Sequence, residues 1–397
     1  MDGDQLKKVL LVITILSCFS LVSADSFEDF KNQNMGEFDN SKQEFSAYKK
    51  EVDKAFEAYK SIMEEEFQAY KDQISKKWDS TEVSTNTKWV EYLNNYNIRK
   101  IVDFESKEIQ IDIIGGSDAS LKPVLKDLLK EDRGDAFRRD PVSFNTEKKL
   151  KKQIPNVQSG KVNDEPVISK LFTEKKLNDS ESESLAEKLI KNGDIRKDKQ
   201  LKTGKPVVSL KVKLPEDTYQ KSAAKVKPYV EKYAKEFNVN PALVMSVIYN
   251  ESRFNPLAKS YVPAYGLMQI VPKSAGIDAI AFLEGEKRVL APSYLYDAEN
   301  NIKVGAAYLH ILYYRYFKGV NDPLSKLYCS IAAYNTGAGN VAYAFNKNNG
   351  GRYSVKRALP EINSMAPSQV YKHLKTNLRY DEAKRYIVKV TEKIKDY

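Results

Sequence analysis

The sequence predicts an α+β protein: a C-terminal all-α domain, a middle mixed α/β domain, and a long amphipathic helix towards the N-terminus. Three observations carry this. Aromatic and aliphatic residues recur at helical spacing before residue 80. Two short runs, Ile109, Ile111, Ile113 and Val208, Leu210, Val212, Leu214, alternate with period two, as half-buried strands do. From residue 216 onward, helical patterns follow one another between Gly, Pro and Asn breaks.

The N-terminal helix is the most regular element. Phe45, Tyr48, Val52, Phe56, Tyr59, Met63, Phe67, Tyr70, Ile74 and Trp78 are spaced three, four and four residues apart in rotation, an 11-residue period. Such a period keeps an apolar stripe nearly straight along a helix. One amphipathic helix cannot hide an aromatic stripe alone, so it must pack on itself, on a copy, or on another domain. It reads as a helical spacer or oligomerising stalk within residues 25–83, with residues 38–78 offering self-association or a partner helix.

Ahead of it, Lys7-Lys8, the apolar run Val9–Leu16 and Val22-Ser23-Ala24 form a signal peptide over residues 1–24, which implies export to the periplasm. Ile15-Leu16-Ser17-Cys18 loosely resembles a lipobox; only lipidation at Cys18 would add a membrane partner and make an outer-membrane lipoprotein. The other cysteine, Cys329, reads as a small buried apolar residue.

The middle region, 84–215, holds both alternating runs. Between them, residues 130–205 are rich in Lys, Asp, Glu and Ser and read in part as mobile loop. The third region, 216–397, has expected helices at 221–237, 241–251, 300–317, 327–334 and 381–394.

Charge and composition narrow the function. The chain of 397 residues carries a net charge of +10, which favours an anionic partner. Residues 25–80 are acidic and the leader is neutral, so the excess of positive charge lies in the last two regions. Export argues against nucleic acid. His310 and His373 are the only histidines, so no metal site is expected, and no phosphate-cradling glycine loop appears. No cofactor is expected.

One carboxylate stands out. Asn240-Pro241 is a helix start, an N-cap followed by proline at the first position. Leu243, Val244, Val247 and Ile248 then form the core-facing stripe, and Glu251 is the next position on it. Desolvation there would raise its pKa towards that of a general acid. Taken alone, the segment equally suits a structural glutamate at a fraying helix end, pointing to water or pairing with Arg253.

Further motifs change that balance. Asn250-Glu251-Ser252-Arg253-Phe254-Asn255-Pro256, Ser260, Gly266-Leu267-Met268-Gln269-Ile270 and Ala332-Ala333-Tyr334-Asn335-Thr336-Gly337-Ala338-Gly339 together resemble the soluble lytic transglycosylase family. Asn301-Ile302, Gly305 and Tyr308-Leu309 fit its connecting helix, and Glu382 with Arg385-Tyr386-Ile387 its last motif. The resemblance spans about residues 225–395. Lys88-Trp89-Val90-Glu91-Tyr92, Ile98-Arg99 and Ile109–Ile113 are similar to the N-terminal domain of a membrane-bound branch of that family. The 11-residue repeat is outside the pattern. So are Pro263 and Tyr265, where many members carry glycine and a small residue; both positions are expected beside the cleft.

The resemblance implies a lysozyme-like catalytic domain acting on peptidoglycan glycan strands, with Glu251 as single general acid/base. It implies substrate-lining roles for Ser260, Gln269, Tyr334, Asn335 and Tyr386, supported from behind by Ser252, Met268 and Glu382. No second acid lies inside the motifs; Asp278, Glu284 and Glu286 read as solvated charges in an insert. The family resolves that absence through the substrate's own N-acetyl and 6-hydroxyl groups, leaving a 1,6-anhydromuramyl end. The alternatives are a hydrolytic muramidase and a non-catalytic wall-binding scaffold.

Overall fold

The computed structural model describes residues 57–154, 156–346 and 353–397. The signal peptide, Cys18 and the stripe residues Phe45, Tyr48, Val52 and Phe56 lie outside the described residues.

Helix α1 runs over residues 57–75. Tyr59, Met63, Phe67, Tyr70 and Ile74 are buried along one side, and Trp78 continues the line just beyond the helix. The rest of the chain covers that side. Tyr59 and Phe67 lie 6.4 and 5.7 Å from the Tyr265 and Tyr261 rings, and Tyr70 meets Tyr92 edge-on at 5.9 Å. The Trp78 indole donates to the Tyr96 carbonyl at 2.7 Å. This corrects the stalk reading for the described half of the stripe: it is hidden against other parts of the same chain.

The sheet comprises β1 (Lys88–Leu93), β2 (Ile98–Asp103), β3 (Glu108–Ile114), β4 (Asp194–Gln200) and β5 (Pro206–Lys213), with spatial order β1-β2-β3-β5-β4. Every pairing is antiparallel. The two alternating runs are neighbours in it: Ile109, Ile111 and Ile113 stand opposite Val212, Leu210 and Val208. One face buries Lys100, ion-paired with Glu91 and with Glu131, while Arg139 reaches both carboxylates. Closing every charge in this way keeps the burial tolerable. The other face holds Arg99 on Asp112 at 2.7 Å, with the Trp78 ring 4.4 Å from the guanidinium.

Within residues 130–205, read in part as loop, residues 159–165 and 173–178 lack helix and strand, whereas most of the others are built into elements. They form the end of α2 (Asp118–Lys130), then α3 (Arg133–Arg139), α4 (Pro141–Gln153), α5 (Asp179–Lys191) and β4. The composition misleads because the charges are solvated helix faces that pair with each other. Lys126 and Lys130 both reach Asp179, at 2.6 and 2.5 Å. Asp132, Asp140 and Asn178 cap the three helices that follow them.

The C-terminal region is helical. It contains α6 (Thr218–Glu236), α7 (Pro241–Ser252), α8 (Ile277–Glu284), α9 (Ala298–Ile311), α10 (Pro323–Thr336), α11 (Ala338–Phe345), α12 (Val355–Ser364), α13 (Pro367–Asn377) and α14 (Asp381–Lys393). The five expected helices correspond to α6, α7, α9, α10 and α14. Helix α9 passes into a π-helical turn over Leu312–Tyr316. Helix α14 packs against both α7 and α10 and so links the motif residues of the three helices. No described helix is long and apolar enough to cross a membrane.

Candidate active site

Helix α7 delivers Glu251. Asn240 accepts from the Ala242 amide at 2.8 Å, Pro241 opens the first turn, and Leu243, Val244, Val247 and Ile248 are buried as the stripe requires. The helix stops at once after Ser252, because Arg253 and Phe254 take left-handed conformations with φ of 52° and 61°. Glu251 therefore sits on the last turn, half-buried at the edge of the core.

Its surroundings favour the protonated form. Burial pushes the Glu251 carboxyl up to about 7; the Tyr386 phenol opposes that as a donor, and the Glu382 charge adds to it. The Tyr386 hydroxyl is buried without a partner in full hydrogen-bonding geometry. Burial raises that phenol well above the ordinary tyrosine range, and the Glu251 charge raises it further. Glu382 lies one helical turn before Tyr386 on α14, exposed, and accepts from the Asn335 amide at 3.5 Å.

Tyr334 stands on the other side. It is raised by burial first and then by Glu251, and its hydroxyl donates to the Met268 carbonyl at 2.8 Å. Met268 is held from behind: its amide donates to Asn301 Oδ1 at 2.8 Å, and its side chain fills the space that a Cβ at Gly305 would need. The structure thus gathers Glu251, Tyr334, Tyr386 and Glu382 around one carboxyl, with Asn335 beside Glu382.

Three further expected residues make other hydrogen bonds. Ser252 is fully buried and donates to Ile248 within its own helix at 3.1 Å. Ser260 bonds the Val262 carbonyl. The Gln269 amide folds back to the Gly266 carbonyl at 3.1 Å, from a backbone with φ of 47°. Each of these bonds is local to its own segment.

Two sequence expectations need correction. Tyr265 does not edge the cleft: it is fully buried, and its hydroxyl donates to Met63 Sδ on α1 at 3.1 Å. Asp278 is not a solvated charge: it is half-buried, accepts from Tyr316 at 3.1 Å, and is raised by that burial. Glu284 and Glu286 are exposed and face Arg288.

Sequence reasoning noticed Asn301 only as part of a motif. Its amide donates to the Tyr265 and Leu295 carbonyls at 2.9 and 2.8 Å while its oxygen takes the Met268 amide. A polar amide inside the apolar stripe of α9 was the available signal. Asn86, whose amide donates to the Glu251 carbonyl, carried no local signal at all.

A half-buried glutamate at a helix end, beside the buried Tyr386 and the half-buried Tyr334, defines a site suited to acid/base work. Residues 228–355 match the family described as Transglycosylase SLT domain. Over 318 residues the chain is 31% identical to the membrane-bound lytic murein transglycosylase C of Haemophilus ducreyi, covering 79% of this chain and 80% of that one. Over 322 residues it is 30% identical to the protein of that name from Actinobacillus pleuropneumoniae, covering 79% and 81%. A solved structure, the 70 kDa soluble lytic transglycosylase from Escherichia coli, is similar at a TM-score of 0.33 and 16% identity, over 70% of this chain and 42% of that one. The chain belongs to the lytic transglycosylase family, in the branch of membrane-bound lytic murein transglycosylase C.

Proposed function

We propose that this enzyme cleaves the β-1,4 bond between N-acetylmuramic acid and N-acetylglucosamine in peptidoglycan without water, using Glu251 as its single acid/base. In the first half, Glu251 gives its proton to the departing glycosidic oxygen as the bond to C1 breaks; the substrate's N-acetyl oxygen supports the electron-poor C1. In the second half, the muramyl 6-hydroxyl oxygen bonds to C1 and its proton returns to Glu251. The glutamate ends as it began, and the product is a 1,6-anhydromuramyl end. A nucleophile carried by the substrate has a large effective molarity, so no second carboxylate is needed to activate water.

The observation that carries this reading is a glutamate held at about 7 by burial, able to give and regain a proton near neutral pH. Glu382 is exposed and Asp278 is committed to Tyr316, so neither is hydrogen-bonded to Glu251. Tyr386 and Tyr334 stand near enough to the carboxyl to act on its charge, the family resemblance assigns the path of the sugar to Asn335, Gln269 and Ser260, and the basic middle and C-terminal regions suit an anionic wall. Export through the leader at residues 1–24 would place the enzyme beside that substrate.

The test is digestion of purified sacculi followed by mass analysis of the muropeptides. Products lighter by one water than the hydrolytic ones support the proposal. Reducing ends alone would favour a muramidase, with Glu382 as the carboxylate whose charge already reaches Glu251.

A further inference from the structure

We propose that α1 braces the segment 258–270, with Tyr265 as the positioning residue through which it acts. This rests on reading that segment as one wall of the substrate cleft.

The two ends of the segment are held differently. Its C-terminal end is fixed by the helical region: Gly266, at φ of 75°, presses against Asn301 and the Leu295 carbonyl with no room for a Cβ. Tyr265 and Ile270 exchange backbone hydrogen bonds at 3.2 and 3.0 Å. The N-terminal end leans on α1 instead. There Tyr265 gives its hydroxyl to Met63 and packs its ring by Tyr59, and Tyr296 meets it at 90°. Tyr261 lies against Phe67, with Lys71 5.1 Å from its ring. Lys259 sits 5.6 Å from the Phe67 ring and is ion-paired to Asp140 at 2.6 Å.

Tyr261 and Val262 are each 56% exposed, and besides α1 the turn is held by the Ser260 amide on the Ala264 carbonyl at 3.1 Å and the Gly266 amide on the Ala258 carbonyl at 2.8 Å. From Tyr265 the chain runs directly to Met268, which receives the Tyr334 hydroxyl, and to Gln269. A shift of the anchored ring therefore moves groups that face the sugar, and a misplacement of about 1 Å in such groups is costly.

The experiment measures kcat and KM of the full chain on solubilised glycan strands, with thermal melts as a folding control. Met63→Ala and Tyr265→Ala are each expected to raise KM on the order of tenfold with a smaller change in kcat. The double variant should be no worse than either single one, because both break the same contact. Tyr265→Phe keeps the ring against Tyr59 and Tyr296 but loses the bond to Met63, so its KM should match that of Met63→Ala. If Tyr265→Ala does not fold, Phe67→Ala, acting on Tyr261, carries the same expectation. A folded Met63→Ala protein with wild-type KM would overturn the proposal, as would activity lost only in proportion to unfolding. Gln269→Ala separates the two readings: unchanged KM there removes the cleft wall itself, whereas raised KM beside a normal Met63→Ala removes only the brace.

Discussion

The side-chain amide of Asn86 donates a 2.7 Å hydrogen bond to the backbone carbonyl of Glu251, across 165 residues of sequence. The last carbonyls of a helix have no partner within it, and this one is satisfied from the region that precedes β1. Asn255 returns the contact by donating to the Asn86 carbonyl at 3.2 Å. The turn carrying Glu251 is thus fastened to the sheet-bearing region. Asn86→Ala is expected to cost about 1 kcal/mol in urea unfolding and to lower kcat/KM several-fold. Unchanged kinetics would show that the helix end needs no outside support.

Activity should follow the protonation of Glu251. As a general acid raised to about 7, it works below that pH, so kcat/KM should fall as pH rises through 7. Stability has the same sign. A carboxyl raised in the folded state favours the fold fully below its unfolded value of 4.5, loses that advantage between 4.5 and 7, and is constant above. Glu251→Gln should therefore match wild type in denaturant melts at low pH and exceed it by about 3 kcal/mol above neutrality.

Two neighbours should move the limb in opposite directions. Glu382→Gln removes a negative charge that raises Glu251, so the limb should shift to lower pH. Tyr386→Phe removes a donor that stabilises the carboxylate, so the limb should shift to higher pH. Shifts in the same direction, read from kcat/KM profiles, would contradict this arrangement of charges.

Asn301 should prove structural. Its buried amide makes three hydrogen bonds to the cleft segment and the chain before α9. Asn301→Ala strands the buried Met268 amide and the Leu295 carbonyl, while the Tyr265 carbonyl keeps the Ile270 amide, and should cost on the order of 3 kcal/mol in thermal or urea unfolding. A loss below about 1 kcal/mol would mean that water replaces the amide.

Much of this was legible where one segment carries its own signal. The cap at Asn240-Pro241 and the stripe from Leu243 to Ile248 placed Glu251 at a helix end before any fold was known. The alternation of Ile109–Ile113 and Val208–Leu214 identified two strands, although only the structure pairs them. What was not legible depends on partners distant in sequence. The period of α1 demanded a cover without naming Tyr261 and Tyr265. Asp278 looked solvated because its partner Tyr316 is distant in sequence, and the helical parts of residues 130–205 read as loop because ion pairs between helices have no local pattern. Asn86 is the extreme case, a loop asparagine whose partner is the Glu251 carbonyl.

The central claim is that one carboxyl does both proton transfers, and Glu251→Gln tests it most directly. Turnover of purified sacculi by this variant should fall by at least about a thousandfold, with wall binding and the thermal melt retained and anhydromuramyl products absent. A Glu251→Gln protein that still releases anhydromuropeptides at a rate near wild type would contradict the account.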